Sequence, residues 1–232
     1  AIAAAASIHP AHHVPVIAAP NVTDATILDE AASKALLRPY GLDLPQNLVV
    51  KRQALPDTLP FGYPVVLKAM GQAHKSEMDG VKLNLADRAE LEAAMAEMKQ
   101  PIYLIEEMVG DGLIELLVGV VADPAHGYLL TLAAGGVLTE ILKDSVSLSL
   151  PVEEADILTA LEKLKIAPLL AGYRGKPAAD KAALVTAVLA VQDCVLDNRA
   201  SFSEIELNPL ILTPTRAVAV DALIKTGGKS RG

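Results

Sequence analysis

The sequence predicts a mixed α/β protein with two lobes, and three observations lead to that fold class. Its 232 residues are 52% hydrophobic and 21% charged, which is the composition of an ordinary folded chain. Short β-branched segments bounded by Pro and Gly alternate with longer stretches of helical periodicity. No repeat with a period of roughly 20–50 residues is visible, which disfavours solenoids and propellers. A chain of this length buries enough surface for one large domain or for two lobes that share a cleft.

The chain is expected to begin with a linker over residues 1–22. This opening is rich in Ala, Pro and His and lacks the basic region of a signal peptide. His9, His12 and His13 could bind a metal, but a flexible linker is the better interpretation because nothing rigid fixes their geometry.

A helix over residues 23–38 is the first predicted element. Thr23 or Asp24 can cap its start, and the Pro-Tyr-Gly sequence at 39–41 ends the run. Its apolar residues fall on one helical face, which is expected to be the buried one: Ile27, Ala31, Ala35 and Leu36.

The remaining elements follow the same two patterns. Strands are predicted over 47–50, 65–69, 81–85, 102–106, 116–122 and 128–133. Turn residues at 123–127 predict a hairpin between the last two of these strands. Helical periodicity predicts helices over 87–99, 153–165 and 178–197. The chain is then expected to close on a β-hairpin of strands 202–212 and 217–223.

The charge balance and the cysteine count restrict the function. The formal net charge is −8 at pH 7, which argues against a nucleic-acid partner because phosphate-backbone binders need a basic face. Cys194 is the single cysteine and no Cys/His ligand spacing exists, so a reducing, cytoplasmic setting is expected. The longest apolar runs fall short of the ~20 residues that a membrane span requires, so no membrane partner is expected either.

A possible phosphate site follows the predicted strand 65–69. Lys68 lies at the end of the strand, and His74 follows in a Gly-punctuated loop. A lysine buried at its stem and free at its head supplies a point charge for phosphate oxygens. Small residues around His74 let a phosphate approach the backbone. Taken alone, Lys68 would more often be a strand-edge lysine, and a single loop histidine such as His74 is usually a polar surface residue.

Carboxylates at a strand-to-loop junction form a second candidate site. One predicted strand ends in Glu106, Glu107, Met108 and Val109. Glu115 opens the next strand. Such carboxylates accept hydrogen bonds from ribose hydroxyls or an adenine amino group, and the backbone between them can pair with an adenine edge. A solvated hinge between lobes would show the same pattern. Further on, the Gly-Gly pair at 135–136 is expected to leave main-chain amides open to an anion.

The segment 204–208 carries the most specific pattern. Glu204, Glu206 and Asn208 lie two apart in a predicted strand and so share one face. Asp221 is expected on the neighbouring strand of the closing hairpin. Carboxylates with an amide carbonyl suit Mg²⁺, which prefers oxygen and takes few protein ligands beside substrate phosphates. The alternative is an exposed acidic face, but the Pro after Asn208 disrupts the strand ladder without an obvious packing gain.

In this order, the motifs resemble the ATP-grasp domain of the ADP-forming acyl-CoA synthetases, a family related to the β subunit of succinyl-CoA synthetase. The similarity covers about residues 24–225. It rests on GYPVVLK, AHKSE, the strand ending in Glu106-Glu107-Met108, GGVLTEILKDS, LLAGYRGKPAAD and EIELNPL. The resemblance implies an ATP-grasp fold with nucleotide in the cleft between two α+β lobes. The larger lobe would comprise 23–46 and 109–225, the smaller lobe 47–108, and a tail 226–232.

The resemblance implies that this chain binds ATP or ADP together with Mg²⁺. Lys68 would bind the phosphates, the segment 106–109 would bind adenine, and Glu115 would lie near the ribose. Asn208 and Asp221 match the Mg²⁺ ligands of the family.

The resemblance also implies a phosphoryl relay. Glu206 matches an acid that steadies a phosphohistidine, and His74 matches a second histidine that becomes phosphorylated. Acyl-CoA and phosphate would form an acyl phosphate elsewhere, and its phosphoryl group would pass through histidines to ADP. The CoA-binding and ligase domains would be supplied by the same protein or by a partner subunit, and an oligomer is expected. This chain alone would then bind nucleotide without completing acyl-CoA synthesis.

Two departures from the family pattern favour an alternative. Asp79 precedes Gly80 where relatives often have Gly-Gly, and the segment 146–149 lacks an arginine that many relatives have. Lys143 can substitute for that cation with less specific geometry. The alternative is a non-catalytic regulatory or assembly module of a larger protein, such as one fused to an acetyltransferase. A carboxylate–amine ligase of the same fold is a third possibility, but the sequence shows no sign of its acceptor pocket.

Overall fold

The computed structural model describes residues 8–9, 17–19, 22–70, 80–136 and 143–229. The chain divides into two compact units. The first unit lies within Ala1–Leu28, Ala32–Leu44 and Asp111–Gly232, and the second comprises Asp29–Ala31 and Pro45–Gly110. Within the described ranges, no helix is long and apolar enough to cross a membrane.

The described strands and helices alternate irregularly along the chain. In chain order they are β1 (Ile8–His9), β2 (Val22–Ile27), α1 (Glu30–Leu37), β3 (Asn47–Lys51), β4 (Val65–Ala69), β5 (Val81–Leu85), α2 (Arg88–Met98), β6 (Ile102–Glu107), β7 (Ile114–Asp123), β8 (Gly127–Ala134), β9 (Ser145–Ser149), α3 (Glu154–Glu162), α4 (Ala167–Leu170), α5 (Lys181–Asp197), β10 (Phe202–Leu212), β11 (Ala217–Ala219) and β12 (Ala222–Lys229). A short 3-10 turn, Arg38–Tyr40, follows α1.

The first unit is built on a mostly antiparallel sheet in the order β1-β9-β8-β7-β10-β12-β2, with β11 also paired to β10. The strands β7 and β8 form the predicted hairpin, with Asp123 opposite Gly127. The helix α5 shares one hydrophobic core with the sheet, because its buried residues recur at helical spacing: Leu184, Val188, Val191 and Val195. This core fixes β7, β8 and β10, which carry or border Glu115, Gly136, Glu206 and Asn208.

The second unit is a four-stranded antiparallel sheet in the order β3-β6-β4-β5. The helix α2 covers one face of the sheet, where Leu91 and Met95 pack with Leu67, Tyr103 and Ile105. Asp87 caps α2 by accepting a hydrogen bond from the Glu90 backbone N–H. Because side chains alternate across a strand, the neighbours of Leu67 in β4 lie on the opposite face of the sheet.

The predicted helix over 23–38 is wrong in its first half. Residues Val22–Ile27 form the strand β2, which pairs with β12, and α1 begins only at Glu30. The predicted apolar face is also wrong, since Ile27 is 51% exposed. The buried positions of α1 are Glu30, Ser33, Lys34 and Leu37. Pairing with a strand about 200 residues away overrides the local helical pattern, which sequence periodicity cannot detect.

The predicted closing hairpin is also different in detail. Three strands replace two, because β11 ends at Ala219 and β12 begins at Ala222 and continues to Lys229. Both pair with β10, at opposite ends of that strand. Asp221 therefore lies in the two-residue link between β11 and β12, instead of on a strand.

Candidate functional site

Lys68 lies at the centre of a buried ionic cluster in the second unit. Its Nζ is 2.6 Å from Glu30 Oε1 and 2.8 Å from Glu106 Oε2. The exposed fractions of the three side chains are 8%, 3% and 2%. We call these three residues the Lys68 cluster. The structure corrects one expectation, because the ammonium group is buried and ion-paired where the sequence analysis expected a free head.

The strand alternation explains how a lysine reaches this position. Leu67 packs into the core against α2, so the next residue, Lys68, lies on the other face of the sheet, opposite Leu104 of β6. Glu106 lies on that same face, two residues along β6. Charges buried this deeply are stable only when they are paired and hydrogen-bonded, so removing one partner is far more costly than for an exposed pair.

The predicted adenine-binding segment follows the Lys68 cluster directly. β6 ends at Glu107, and the backbone N–H of Glu107 donates to Gln46 O at 2.9 Å. The N–H of Met108 donates to Pro64 O at 3.2 Å. Glu107, Met108 and Val109 are half-buried, whereas Glu106 is almost fully buried. Glu106 is thus enclosed and contacts Lys68. The three residues after it are partly exposed, so they are the part of the segment that a ligand can reach.

Asn208 joins two other candidate groups in the first unit. Its side-chain Oδ1 accepts a hydrogen bond from the Gly136 N–H at 3.3 Å, and its Nδ2 donates to Glu206 Oε1 at 3.2 Å. Glu115 lies against the same glycine, since a Cβ atom built on Gly136 would overlap Glu115 Oε2. We call Glu115, Gly136, Glu206 and Asn208 the Asn208 cluster. The antiparallel register places Glu115 of β7 opposite Ile211 of β10, which brings these residues together.

The Gly-Gly pair has a steric role that the sequence analysis did not predict. Gly135 donates its N–H to Glu115 O at 2.8 Å, and a Cβ there would come within 2.6–2.8 Å of Leu116 backbone atoms. Gly136 has a φ of 61°, which favours glycine. The expectation that both amides are open to an anion is wrong, because each amide is already hydrogen-bonded within the first unit.

Asp221 is half-buried and directly follows a well-anchored residue. Val220 donates its N–H to Pro209 O at 3.3 Å and accepts a hydrogen bond at its carbonyl oxygen from Lys34 Nζ at 2.7 Å. Pro209 follows Asn208 in the chain, and Val220 precedes Asp221. The bond from the Val220 N–H to Pro209 O therefore joins the backbone neighbours of the two predicted metal ligands. The oxygen donors of Asn208 and Asp221 fit the chemistry of Mg²⁺.

Two predicted residues stand apart from these clusters. Glu204, on the same strand as Glu206, forms an ion pair with Lys225 at 2.6 Å and so has a separate partner. His74 lies outside the described residues, as does Asp79. Within the described part of the chain, no group of three or more His, Cys, Asp or Glu side chains is arranged to hold a metal ion. A metal here would therefore need the Asn208 amide or ligand oxygens.

Two residues of α1 were missed by the sequence analysis. Glu30 belongs to the Lys68 cluster, and Lys34 contacts the residue before Asp221. The signal was present, since Glu30, Ser33, Lys34 and Leu37 have the i, i+3, i+4, i+7 spacing of one helical face. Apolar residues alone do not reveal this face, because three of its four members are polar or charged.

Comparison with known proteins gives a consistent result. The family described as "ATP-grasp domain" matches residues 21–226. A trans-feruloyl-CoA synthase from an unknown prokaryotic organism is 35% identical over 214 residues, which are 85% of this chain and 30% of that protein. The β subunit of the ADP-forming acetate–CoA ligase II of Pyrococcus furiosus is 33% identical over 216 residues, 86% of this chain and 91% of that subunit.

A solved structure is similar over the same region. It is the dinucleotide-forming acetyl-coenzyme A synthetase 1 of Ca. Korarchaeum cryptofilum, in complex with coenzyme A and Mg-AMPPCP, with a phosphohistidine segment pointing towards the nucleotide binding site. The TM-score is 0.72 at 28% identity, covering 85% of this chain and 91% of that chain. The chain thus spans less than a third of one curated relative and nine-tenths of another.

Proposed function

This chain belongs to the ATP-grasp domain family, and from that premise we propose that it is the nucleotide-binding part of an ADP-forming acyl-CoA synthetase. The two units would be the two lobes of that fold. Its relatives include β subunits of ADP-forming acetate–CoA ligases, and a similar structure contains Mg-AMPPCP. The observation that carries the proposal is the buried Lys68, whose Nζ lies 2.6 and 2.8 Å from two buried carboxylates.

Each candidate residue has a role in this proposal. Lys68 binds phosphate oxygens by giving up part of its contact with Glu30 and Glu106, because these two carboxylates otherwise balance its charge. The half-buried residues 107–109 bind adenine through side chains and through backbone groups other than the N–H groups of Glu107 and Met108, which are already hydrogen-bonded. Glu115 binds the ribose. Asn208 and Asp221 hold Mg²⁺, which supplies charge neutralisation at the phosphates when bound.

The proposed reaction is reversible phosphoryl transfer between a histidine and ADP. A terminal oxygen of ADP attacks the phosphorus, the N–P bond of the phosphohistidine breaks, and the electron pair of that bond returns to the imidazole. Transfer of this kind depends on in-line positioning and charge neutralisation, which Lys68 supplies. Glu206 accepts a hydrogen bond from Asn208, which supports its role in orienting an incoming imidazole. His74 is proposed as the phosphorylated residue within this chain.

The domains that bind CoA and form the acyl phosphate would lie elsewhere, either in the same polypeptide or in a partner subunit. The relatives support both arrangements, since one is a separate β subunit and another is a longer chain of which this region is 30%. An oligomer of this chain with such a partner is part of the proposal.

Nucleotide binding is tested by thermal unfolding of the chain in the presence of ligand. ADP or ATP with Mg²⁺ at 100 times the dissociation constant would stabilise the fold by about 2.7 kcal/mol and raise Tm accordingly. AMP with Mg²⁺ serves as the control, because it lacks the terminal phosphate. No shift at millimolar ADP or ATP, with the chain shown to be folded, would contradict the proposal.

The relay itself is tested with the complete enzyme and labelled ATP. Acid-labile label should appear on the wild type and decrease on His74→Ala.

One observation favours a second candidate function, a regulatory or assembly module without turnover. Many relatives are expected to have an arginine in the segment 146–149, which here lies in β9 and supplies no cation. Val146, Ser147 and Leu148 are buried. A wild-type protein that binds ATP but takes up no label would favour that module.

A further inference from the structure

Lys34 is a fully buried lysine on the face of α1 that also carries Glu30, Ser33 and Leu37. Its exposed fraction is 0%, which is rare for lysine because an ammonium group loses its hydration when buried. Its burial therefore requires an explanation in what its Nζ contacts.

One contact of the Lys34 ammonium group is with the backbone beside Asp221. Lys34 Nζ donates a hydrogen bond to the carbonyl oxygen of Val220 at 2.7 Å. That oxygen belongs to the peptide group that joins Val220 to Asp221. A hydrogen bond from a charged donor is stronger than one between neutral groups, so it fixes the plane of this peptide group more firmly than a backbone donor would.

The other backbone groups of this corner are also fixed. Val220 donates its N–H to Pro209 O at 3.3 Å, and Ala219 donates to Asp43 O at 2.9 Å. The N–H groups in these two bonds belong to peptide groups that come before the one joining Val220 to Asp221. The Lys34 bond is made to the carbonyl oxygen of that last peptide group itself. Lys34 is thus placed to determine the direction in which the Asp221 side chain leaves the backbone.

We propose that Lys34 is a positioning residue for Asp221, and that through the Val220 carbonyl it sets the affinity of this chain for Mg²⁺ in the presence of nucleotide. The inference rests on the proposed function, because it takes Asp221 as a Mg²⁺ ligand. Groups that orient metal ligands from outside the coordination sphere typically change metal affinity by about 10- to 100-fold when they are removed.

The test compares Lys34→Met with Lys225→Met in the full 232-residue chain. Lys225 is a lysine of the same unit and lies in β12, the strand that begins just after Asp221. Its described side-chain bond is to Glu204, not to Val220. Binding of ADP is measured by calorimetry with EDTA and across a Mg²⁺ titration. Hydrogen exchange of the segment 217–222 is measured without metal or nucleotide.

We expect Lys34→Met to raise the apparent Mg²⁺ dissociation constant about 10-fold or more, while ADP affinity in EDTA changes less than about twofold. Exchange of the segment 217–222 should become faster. Lys225→Met should change none of these quantities. Replacing a buried charge by an apolar side chain is often tolerated by the fold. If Lys34→Met does not fold, Lys34→Gln replaces it, because its neutral amide retains a donor and should give a smaller shift of the same sign.

The outcomes separate the inference from the proposed function. Unchanged Mg²⁺ dependence in a folded Lys34 variant would overturn the inference and leave nucleotide binding intact. An equal loss of ADP affinity with and without Mg²⁺ would also overturn it, since that indicates a general structural role. A wild-type chain that does not bind ADP would contradict the proposed function and remove the basis of the inference with it.

Discussion

The two clusters of candidate residues are held in place by different forces. In the Lys68 cluster, one ammonium and two carboxylates hold each other, and all three side chains are buried. In the Asn208 cluster, a neutral amide bonds to a backbone N–H and a single carboxylate. Gly136 and its neighbour Gly135 let the chain approach closely there. The first cluster therefore depends on charge and the second on shape. Loss of charge should therefore be most damaging at the first cluster, and added volume at the second.

Removal of the Lys68 charge should give the largest effect. Lys68→Met takes away the cation that two buried carboxylates share, which should destabilise the chain by about 3–5 kcal/mol. Urea unfolding measures the free energy of unfolding. Lys82→Met is the matched control, because Lys82 pairs with Glu97 in the same unit at 2.8 Å but with 28% and 67% of the side chains exposed. That variant should lose less than about 1 kcal/mol, and similar losses in both variants would contradict the interpretation of the Lys68 cluster.

Substitutions that add volume at the Gly-Gly pair should destabilise the chain, because there is little space around either glycine. Gly135→Ala places a Cβ against Leu116 backbone atoms, which cannot rotate away, and should cost about 3 kcal/mol. Gly136→Ala meets the mobile end of Glu115 and a φ of 61°, and should cost about 1–2 kcal/mol. Gly110→Ala, where nothing lies within 4 Å of the added atom, is the control in the same unfolding measurement. A larger loss at Gly136 than at Gly135 would be the contradictory result.

Removal of the amide from the Asn208 cluster should have a smaller effect on stability. Asn208→Ala removes two hydrogen bonds of 3.3 and 3.2 Å made by neutral or half-buried groups, and should cost about 1 kcal/mol. Its effect on ligand binding should be larger than its effect on folding, because Asn208 is a proposed Mg²⁺ ligand. The Mg²⁺-dependent part of the Tm shift with ADP should disappear. A retained shift would exclude Asn208 as a ligand.

The smallest expected effect tests whether the first unit is independent of the Lys68 cluster. Cys194 is fully buried in the core of the first unit, and burial raises the pKa of its thiol to about 11. The thiol should therefore stay protonated and unreactive towards a disulfide reagent in the native chain. It should remain protected in Lys68→Met in the absence of denaturant. Rapid labelling in that variant would show that the damage extends into the first unit.

Local patterns were sufficient to predict much of the fold. The helix α5 and the β7–β8 hairpin were predicted because helical periodicity and turn residues act over a few positions. The resemblance to the ATP-grasp domain over 24–225 is confirmed by the family match over 21–226. The strand β2 was missed because its partner, β12, lies about 200 residues away in the sequence.

The candidate residues were predictable as types, but their contacts were not. Lys68 and Glu106 were both predicted, yet nothing in the sequence indicates that they form an ion pair or that Glu30, 38 residues before Lys68, completes it. The steric need for Gly135 likewise depends on the backbone of Leu116 in a neighbouring strand. Such contacts follow from the pairing of strands, which single-sequence patterns do not specify.

The buried face of α1 has a consequence for anyone who re-engineers this protein. Ser33 has a fully buried hydroxyl without a hydrogen-bond partner among the described residues, and Glu30 and Lys34 flank it on the same face. A stabilisation programme would select Ser33 for Ala, which removes a buried hydroxyl that lacks a partner among the described residues, whereas replacing Glu30 would take one carboxylate from the Lys68 cluster and destabilise the chain. Lys34 is different, because the fold should tolerate an apolar replacement there while Mg²⁺ affinity falls. Selection for heat resistance should therefore be paired with a binding screen.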